Sequence, residues 1–179
     1  MKRTLLRFEN IQQVVGSEDL AVILLTDELR QRALSVICDG AMTQQLLLRL
    51  HAPKKCLNYL PEALVNMLPG KYELMIYGIY DGQYQVVLAD SEFERNARIR
   101  ISDAVLLNVI ADYPLYIEET LMQHQCVPFD EHARGVAIPI NTMDAHRLNV
   151  ALQNAIETEN YELASQLRDE IKRRQTTVE

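Results

Sequence analysis

Arg100 to Glu119 reads RISDAVLLNVIADYPLYIEE, and the fold of the whole chain is organised around it. Ser102 or Asp103 stands where a helix N-cap is expected, and Ala104, Val105, Leu106, Leu107, Val109 and Ile110 supply an apolar run too dense for a solvent-facing helix. A buried helix is predicted. Pro114 biases Tyr113 toward extended geometry, so Tyr113-Pro114-Leu115-Tyr116-Ile117 leaves that helix as a short extended segment. An arginine, a cap and a strand fall within one short stretch.

Upstream, Tyr72 to Tyr80 and Gln83 to Ala89 flank Asp81-Gly82, the strongest hairpin signal in the chain, and Ala97 to Ile101 adds a further strand. Thr4 to Val15, with Leu6, Phe8 and Ile11, reads as a strand entering a sheet and is punctuated by Gly16-Ser17-Glu18-Asp19. Leu20 to Thr26 is a continuous apolar run, and Arg32 to Cys38 is its antiparallel partner across Asp27 to Gln31. From Gly40 the period becomes helical, through Met42, Leu46, Leu47 and Leu50 to His51-Ala52-Pro53. A second helix runs from Pro61 to Leu68 and is stopped by Pro69-Gly70. Two helices then cover one sheet face.

Downstream, Glu118 to Gln123 continues as a short helix. His124 to Asn141 contains Pro128, Gly135 and Pro139, has no sustained period, and reads as a linker. From Asp144 the pattern is helical again. Leu148, Leu152, Ala155 and Ile156 form one stripe, and Tyr161, Ala164, Leu167, Arg168 and Ile171 form another behind an Asn160 cap. The expected organisation is a domain over 1–125, a linker over 126–143 and a helical hairpin over 144–179. Its fold class is α+β: a mixed, mostly antiparallel sheet with packed helices, followed by the C-terminal α-helical hairpin. So small a hairpin buries little by itself, so a partner surface is expected for it.

With 48% apolar residues in 179, the chain is long enough for one core of ordinary size and a small appendage. Its apolar runs fall short of the roughly 18 residues that span a membrane, and Met1-Lys2-Arg3 leads into polar residues rather than a signal-peptide core. A cytoplasmic protein without a membrane partner is expected. Cys38, Cys56 and Cys126 lie far apart without CxxC spacing, which suits neither a disulfide framework nor a zinc cluster. A formal charge of −7 and a pI near 5.1 argue against a broad basic face for duplex binding. Carboxylates that hold a cation still permit phosphodiester chemistry in an acidic protein.

Two regions resemble known families. Residues from about Thr4 to Gln125 resemble the bifunctional nuclease domain in their order of hairpin, helices, hairpin and helix. Arg100-Ile101-Ser102-Asp103-Ala104-Val105 followed by Pro114-Leu115-Tyr116 is similar to that family's Arg-Pro-Ser-Asp-Ala-Ile and Pro-Ile-Tyr. Glu118-Glu119 matches its acidic pair. The chain departs where the family carries a Gly and a Glu, here Asp39 and Met42, and where it carries Thr-His-Asp, here Asn58-Tyr59-Leu60. Leu148 to Arg174, above all Leu167-Arg168-Asp169-Glu170-Ile171, is similar to the UVR motif of UvrB and UvrC. The resemblance implies hydrolysis of DNA and RNA phosphodiesters, and a protein partner for the hairpin through Tyr161, Leu167, Arg168 and Ile171. The alternative is a non-catalytic interaction or regulatory module that acts through the hairpin.

A nuclease needs a charge clamp for phosphate and an activated water. Arg100 with Ser102 and Asp103 supplies the residue types, and Asp39 lies at a strand end that can face them. Mg²⁺ or Mn²⁺ is the cofactor such chemistry calls for. The structural use of the same residues is a helix cap and an Arg100–Asp103 pair at the strand-helix corner, with Asp39 as a turn cap. Asp90, Glu92 and Glu94 have oxygen ligands for Mg²⁺, but also suit a solvated strand connection. His124, Cys126, Asp130 and His132 have metal-ligand residue types at irregular spacing. No Gly-rich phosphate loop, nucleophile elbow or HExxH is present. An edge strand and an apolar helix face provide surfaces for a homo-oligomer.

Overall fold

The computed structural model describes residues 2–13, 20–68, 70–92, 94–131 and 139–176. The expected turn at Gly16-Ser17-Glu18-Asp19, the Pro69 stop, and Gly135 and His132 of the expected linker lie outside them. The chain forms two compact units, Met1–Gly78 with Tyr84–Ala137 and Ile79–Gln83 with Ile138–Glu179.

The first unit is built on an eight-stranded sheet. Its strands are β1 (Arg3–Gln13), β2 (Leu20–Asp27), β3 (Arg32–Asp39), β4 (Tyr72–Tyr80), β5 (Gln83–Asp90), β6 (Asn96–Ile99), β7 (Leu115–Glu118) and β8 (Val127–Pro128). They lie in the order β6-β5-β4-β7-β1-β2-β3-β8. β1 and β2 pair antiparallel with a bulge between Phe8 and Asn10, and β2 faces β3 with Leu24 opposite Ser35. Every β2 residue after Leu20 is buried, as a continuous apolar run predicts for a central strand. β7 is antiparallel to β1 but parallel to β4, with Leu74 opposite Leu115 and Ile76 opposite Ile117. All four of those side chains are fully buried.

The helices of this unit are α1 (Gly40–His51), α2 (Leu60–Met67), α3 (Ile101–Ala111) and α4 (Glu119–Gln125), with a 3-10 turn at Pro53–Cys56. α1 packs on both β3 and α3, and α2 also packs on α3. Ala104, Val105 and Leu106 of α3 are buried, in line with its apolar run. The helix ends at Asp112, which adopts a left-handed conformation at φ 53° and donates its backbone N–H to Asn108. Pro114 then presents its carbonyl to the Leu74 amide at 2.9 Å, which delivers β7 to β4.

Two local expectations change. Arg100, not Ser102 or Asp103, occupies the N-cap position of α3, and no side chain caps its amides. The stretch read as a linker, 126–143, also contains regular structure. Val127 and Pro128 pair with Ala33 and Arg32, and Phe129 donates its amide to the Gln31 carbonyl at 2.9 Å. Pro128 is accommodated because β8 is an edge strand, where a missing N–H costs no ladder bond. A second 3-10 turn follows at Ile140–Thr142.

The second unit is organised by α5 (Ala145–Glu157) and α6 (Tyr161–Thr176). Asp144 caps α5 by accepting the Arg147 amide at 2.8 Å, and Asn160 caps α6 by accepting the Leu163 amide at 3.2 Å. Between the helices, Glu159 takes φ 56° and the Asn160 amide closes on the Ala155 carbonyl at 2.8 Å. Leu148, Ala155, Ala164 and Leu167 form the buried core, flanked by Ile140, Met143, Ala151, Leu152, Leu163 and Ile171. Ile156 and Tyr161 fall off the expected stripes and are exposed.

Candidate functional site

The corner expected around Arg100 is formed by the end of β3 and the start of α3. Asp39 is the last residue of β3 and the N-cap of α1, where its carboxylate accepts the Met42 amide at 2.7 Å. Thr43 Oγ1 donates back to the Asp39 carbonyl at 2.8 Å. Asp39 therefore does the work of a capping aspartate.

Arg100 sits in extended geometry immediately before α3, and Asp103 lies in its first turn. The guanidinium grips Asp103 in a fork, Nε to Oδ2 at 2.8 Å and Nη2 to Oδ1 at 3.0 Å. The two side chains are 70% and 35% exposed, so the pair is open to water. Hydrogen bonding to Asp103 and its charge hold the Arg100 guanidinium above the usual arginine range, and the charge of Asp39 adds to this. Arg100, Asp103 and Asp39 thus share one electrostatic neighbourhood. Ser102, half-buried in the first turn, makes no capping bond to the α3 amides.

A second polar cluster escaped the sequence. Arg32 Nε donates to Asp27 Oδ2 at 2.9 Å, while Nη1 donates to Glu119 Oε1 at 2.9 Å. Thr4 Oγ1 donates to Glu119, and Asp27 also accepts the Gln31 and Arg32 amides at 2.8 and 3.1 Å. Burial pushes the Asp27 carboxyl up, but the Arg32 side chain and the two amides outweigh it and leave it below the usual range. The Thr4 hydroxyl, then Arg32, holds Glu119 down as well. This network ties β1, the β2–β3 turn and the start of α4 together. The acidic pair at Glu118-Glu119 thus has Glu119 committed to structure. Only the opposite charge types hinted at it, because Arg32 and Glu119 lie 87 residues apart.

Asp90 of the expected acidic group is also engaged locally. Asp90 accepts the Glu94 amide at 2.9 Å and the Arg95 amide at 3.2 Å, which makes it a turn clip. His124 Nδ1 lies 2.7 Å from the Thr120 carbonyl of its own helix. Among the described residues no group of three His, Cys, Asp or Glu side chains is placed to hold a metal ion.

On the hairpin the expected contact residues separate into two classes. Leu167 is fully buried inside the hairpin and Ile171 packs against that core. Tyr161 is 70% exposed. Arg168 is exposed and shares an α6 face with Tyr161 and Ser165, at i, i+4 and i+7. Tyr161, Leu167 and Ile171 therefore do not form a single contact stripe. Glu170, held low chiefly by its hydrogen bond from Arg173, also receives Arg174 Nε at 2.8 Å.

No helix among the described residues is long and apolar enough to cross a membrane. A search of curated proteins finds no match to the chain. The UvrB/uvrC motif model matches residues 146–176, from the second residue of α5 to the last of α6.

Proposed function

We propose that the chain is an interaction module whose α5–α6 hairpin docks on a protein partner. The observation that carries this is the outer face of α6: Tyr161, Ser165 and Arg168 are exposed within the segment that matches the UvrB/uvrC motif. Tyr and Arg are the side chains most often found as interface anchors. Leu167 and Ile171 shape that face from behind by packing the hairpin. The test is affinity purification with the full chain against its Tyr161→Ala variant, followed by titration of each purified protein lost from the variant. A true partner binds the variant at least about tenfold more weakly. Equal binding to both forms overturns the proposal.

Phosphodiester hydrolysis of DNA or RNA is the second reading, and the exposed Arg100–Asp103 fork, with the charge of Asp39 acting on Arg100, favours it. In that reading Arg100 transfers its fork from Asp103 to a phosphate, and Asp103 takes up a cation or a proton. Mg²⁺ or Mn²⁺ is the ion this reading calls for, which Asp103 would share with the phosphate itself. Cleavage of labelled single-stranded DNA and RNA, with Mg²⁺, Mn²⁺ or chelator, tests it. Metal-dependent cleavage that disappears in a folded Arg100→Ala/Asp103→Ala double variant supports the reading. No cleavage by the unaltered chain, or equal cleavage by the variant, rejects it.

A further inference from the structure

The sheet of the first unit ends in two unequal edges, β8 and β6. β8 has two residues, one of them Pro128, which has no N–H to offer a further strand. β6 has four residues and no proline, and it keeps an unbroken antiparallel register with β5 from Asn96 opposite Ala89 to Ile99 opposite Val86. No strand among the described residues lies on its outer side. A row of N–H and C=O groups at such an edge is a template for one more strand.

The side chains of β6 are sorted by face. Ala97 and Ile99 continue the apolar row of Leu88 and Val86, while Asn96 and Arg98 stand on the opposite face. Arg100 is still extended, at φ −70° and ψ 150°, so it follows Arg98 on that face roughly 7 Å further along the chain. Every charged residue from Arg95 to Ile101 is an arginine. Arg98 is exposed and forms no ion pair among the described residues. Arg95 leans on Asp90 at 3.3 Å and Arg100 on Asp103 at 2.8 Å, with the arginine side chains 76% and 70% exposed. Pairs so open to water yield readily to a competing carboxylate.

These charges decide what can pair. Two copies of β6 laid edge to edge would set arginine against arginine, which opposes self-association at this edge. A strand with carboxylates at alternate positions meets Arg98 and Arg100 on one face, and apolar side chains between them lie beside Ala97 and Ile99 on the other. Because the whole chain carries −7, the attraction is confined to the edge and fades beyond about 8 Å at physiological salt.

We infer that β6 is a docking edge for an extended acidic segment of a partner protein, which joins the eight-stranded sheet as a further strand. Main-chain hydrogen bonds supply the affinity, and the alternation of arginines with apolar residues selects an acidic-apolar-acidic pattern. The inference does not rest on the hairpin reading.

The test is fluorescence anisotropy of the full chain with the labelled peptide Ser-Glu-Val-Glu-Val-Glu-Ser, at low and physiological salt. Saturable binding is expected, together with hydrogen-exchange protection gained over 96–99. Arg98→Glu, at an exposed position, leaves the protomer folded and weakens binding at least about tenfold, and the peptide with Lys in place of Glu does not bind. N-methylation of one alternate set of peptide amides abolishes binding while methylation of the other set is tolerated, because only one set faces β6. Equal binding of the two N-methyl forms, undiminished binding to Arg98→Glu, or no binding of the acidic peptide overturns the inference. So does Arg98-dependent binding of oligothymidylate in place of the peptide, which would assign the edge to nucleic acid.

Discussion

Leu167→Ala probes how the second unit is held together. Leu167 and Leu148 are the two large, fully closed side chains in a core whose other buried members are Ala155 and Ala164. Truncating a fully buried leucine removes its transfer free energy and leaves a cavity, at a combined cost of about 3 kcal/mol. So small a helical pair has only a few kcal/mol of local stability, so the change brings α5 and α6 close to their local unfolding midpoint. A loss of about 3 kcal/mol corresponds to roughly 150-fold faster opening-limited exchange. Hydrogen exchange followed by mass spectrometry reads this peptide by peptide. Peptides from α5 and α6 should lose protection by about two orders of magnitude while those of β2 and β3 keep theirs. Tyr161→Ala, at an exposed position, should shift α6 by less than about 0.5 kcal/mol. Unchanged protection of α5 and α6 in Leu167→Ala, or equal acceleration in β2 and β3, would refute the assignment of Leu167 to a separate small core.

Asp39→Ala removes the α1 cap and should cost about 1 kcal/mol in urea unfolding, whereas Asp39→Asn, which keeps an acceptor, should cost less than half of that. Arg49 Nε lies 2.7 Å from Glu62 Oε1 with both side chains buried. Arg49→Ala strands that Glu62 carboxylate and should cost about 3–5 kcal/mol, while Arg49→Met/Glu62→Leu should recover most of it. Asp27 and Glu119 both have folded pKa values held below those of the unfolded chain. Their contribution is therefore complete above the unfolded carboxylate range and is lost as pH falls through the lower folded values. Urea unfolding measured from neutral pH downward should show this loss, and Arg32→Gln should flatten it; an unchanged acid limb in Arg32→Gln would contradict the network.

The hairpins were legible because their signals are local. Asp81 and Gly82 both take positive φ, at 47° and 75°, which is the geometry an Asp-Gly turn supplies. The Asp144 and Asn160 caps needed only a few residues of context. The insertion of β7 between β4 and β1 depends on three-dimensional pairing across the whole domain, and no period encodes it. The same limit hid the Arg32 and Arg49 networks. At the α3 corner the structural Arg100–Asp103 pair and the Asp39 cap form as expected, but the N-cap position of α3 moves from Ser102 or Asp103 to Arg100. The helix begins at Ile101, so Asp103 is too deep in the first turn to cap it, and its carboxylate turns back to Arg100. On the hairpin, helical spacing placed Leu167 on an apolar stripe but could not distinguish the side facing α5 from the side facing a partner.

The local roles of Asp39 and the Arg100–Asp103 pair bear unequally on phosphate chemistry. An exposed arginine-carboxylate pair is worth only about 0–1 kcal/mol, so an incoming phosphate can displace Asp103 from Arg100 at little cost to the fold. Asp39 holds an α1 amide, and withdrawing it to serve a metal or a proton would sacrifice a cap of about 1 kcal/mol. In the phosphodiester reading proposed above, chemistry at this corner would therefore fall first on Asp103, with Asp39 contributing charge from its fixed position. Catalysis would fall steeply in Asp103→Asn and only mildly in Asp39→Asn, since asparagine preserves the cap. A purely structural corner removes that difference: both asparagine variants would leave cleavage unchanged, and the alanine variant at Asp39 would register in stability alone.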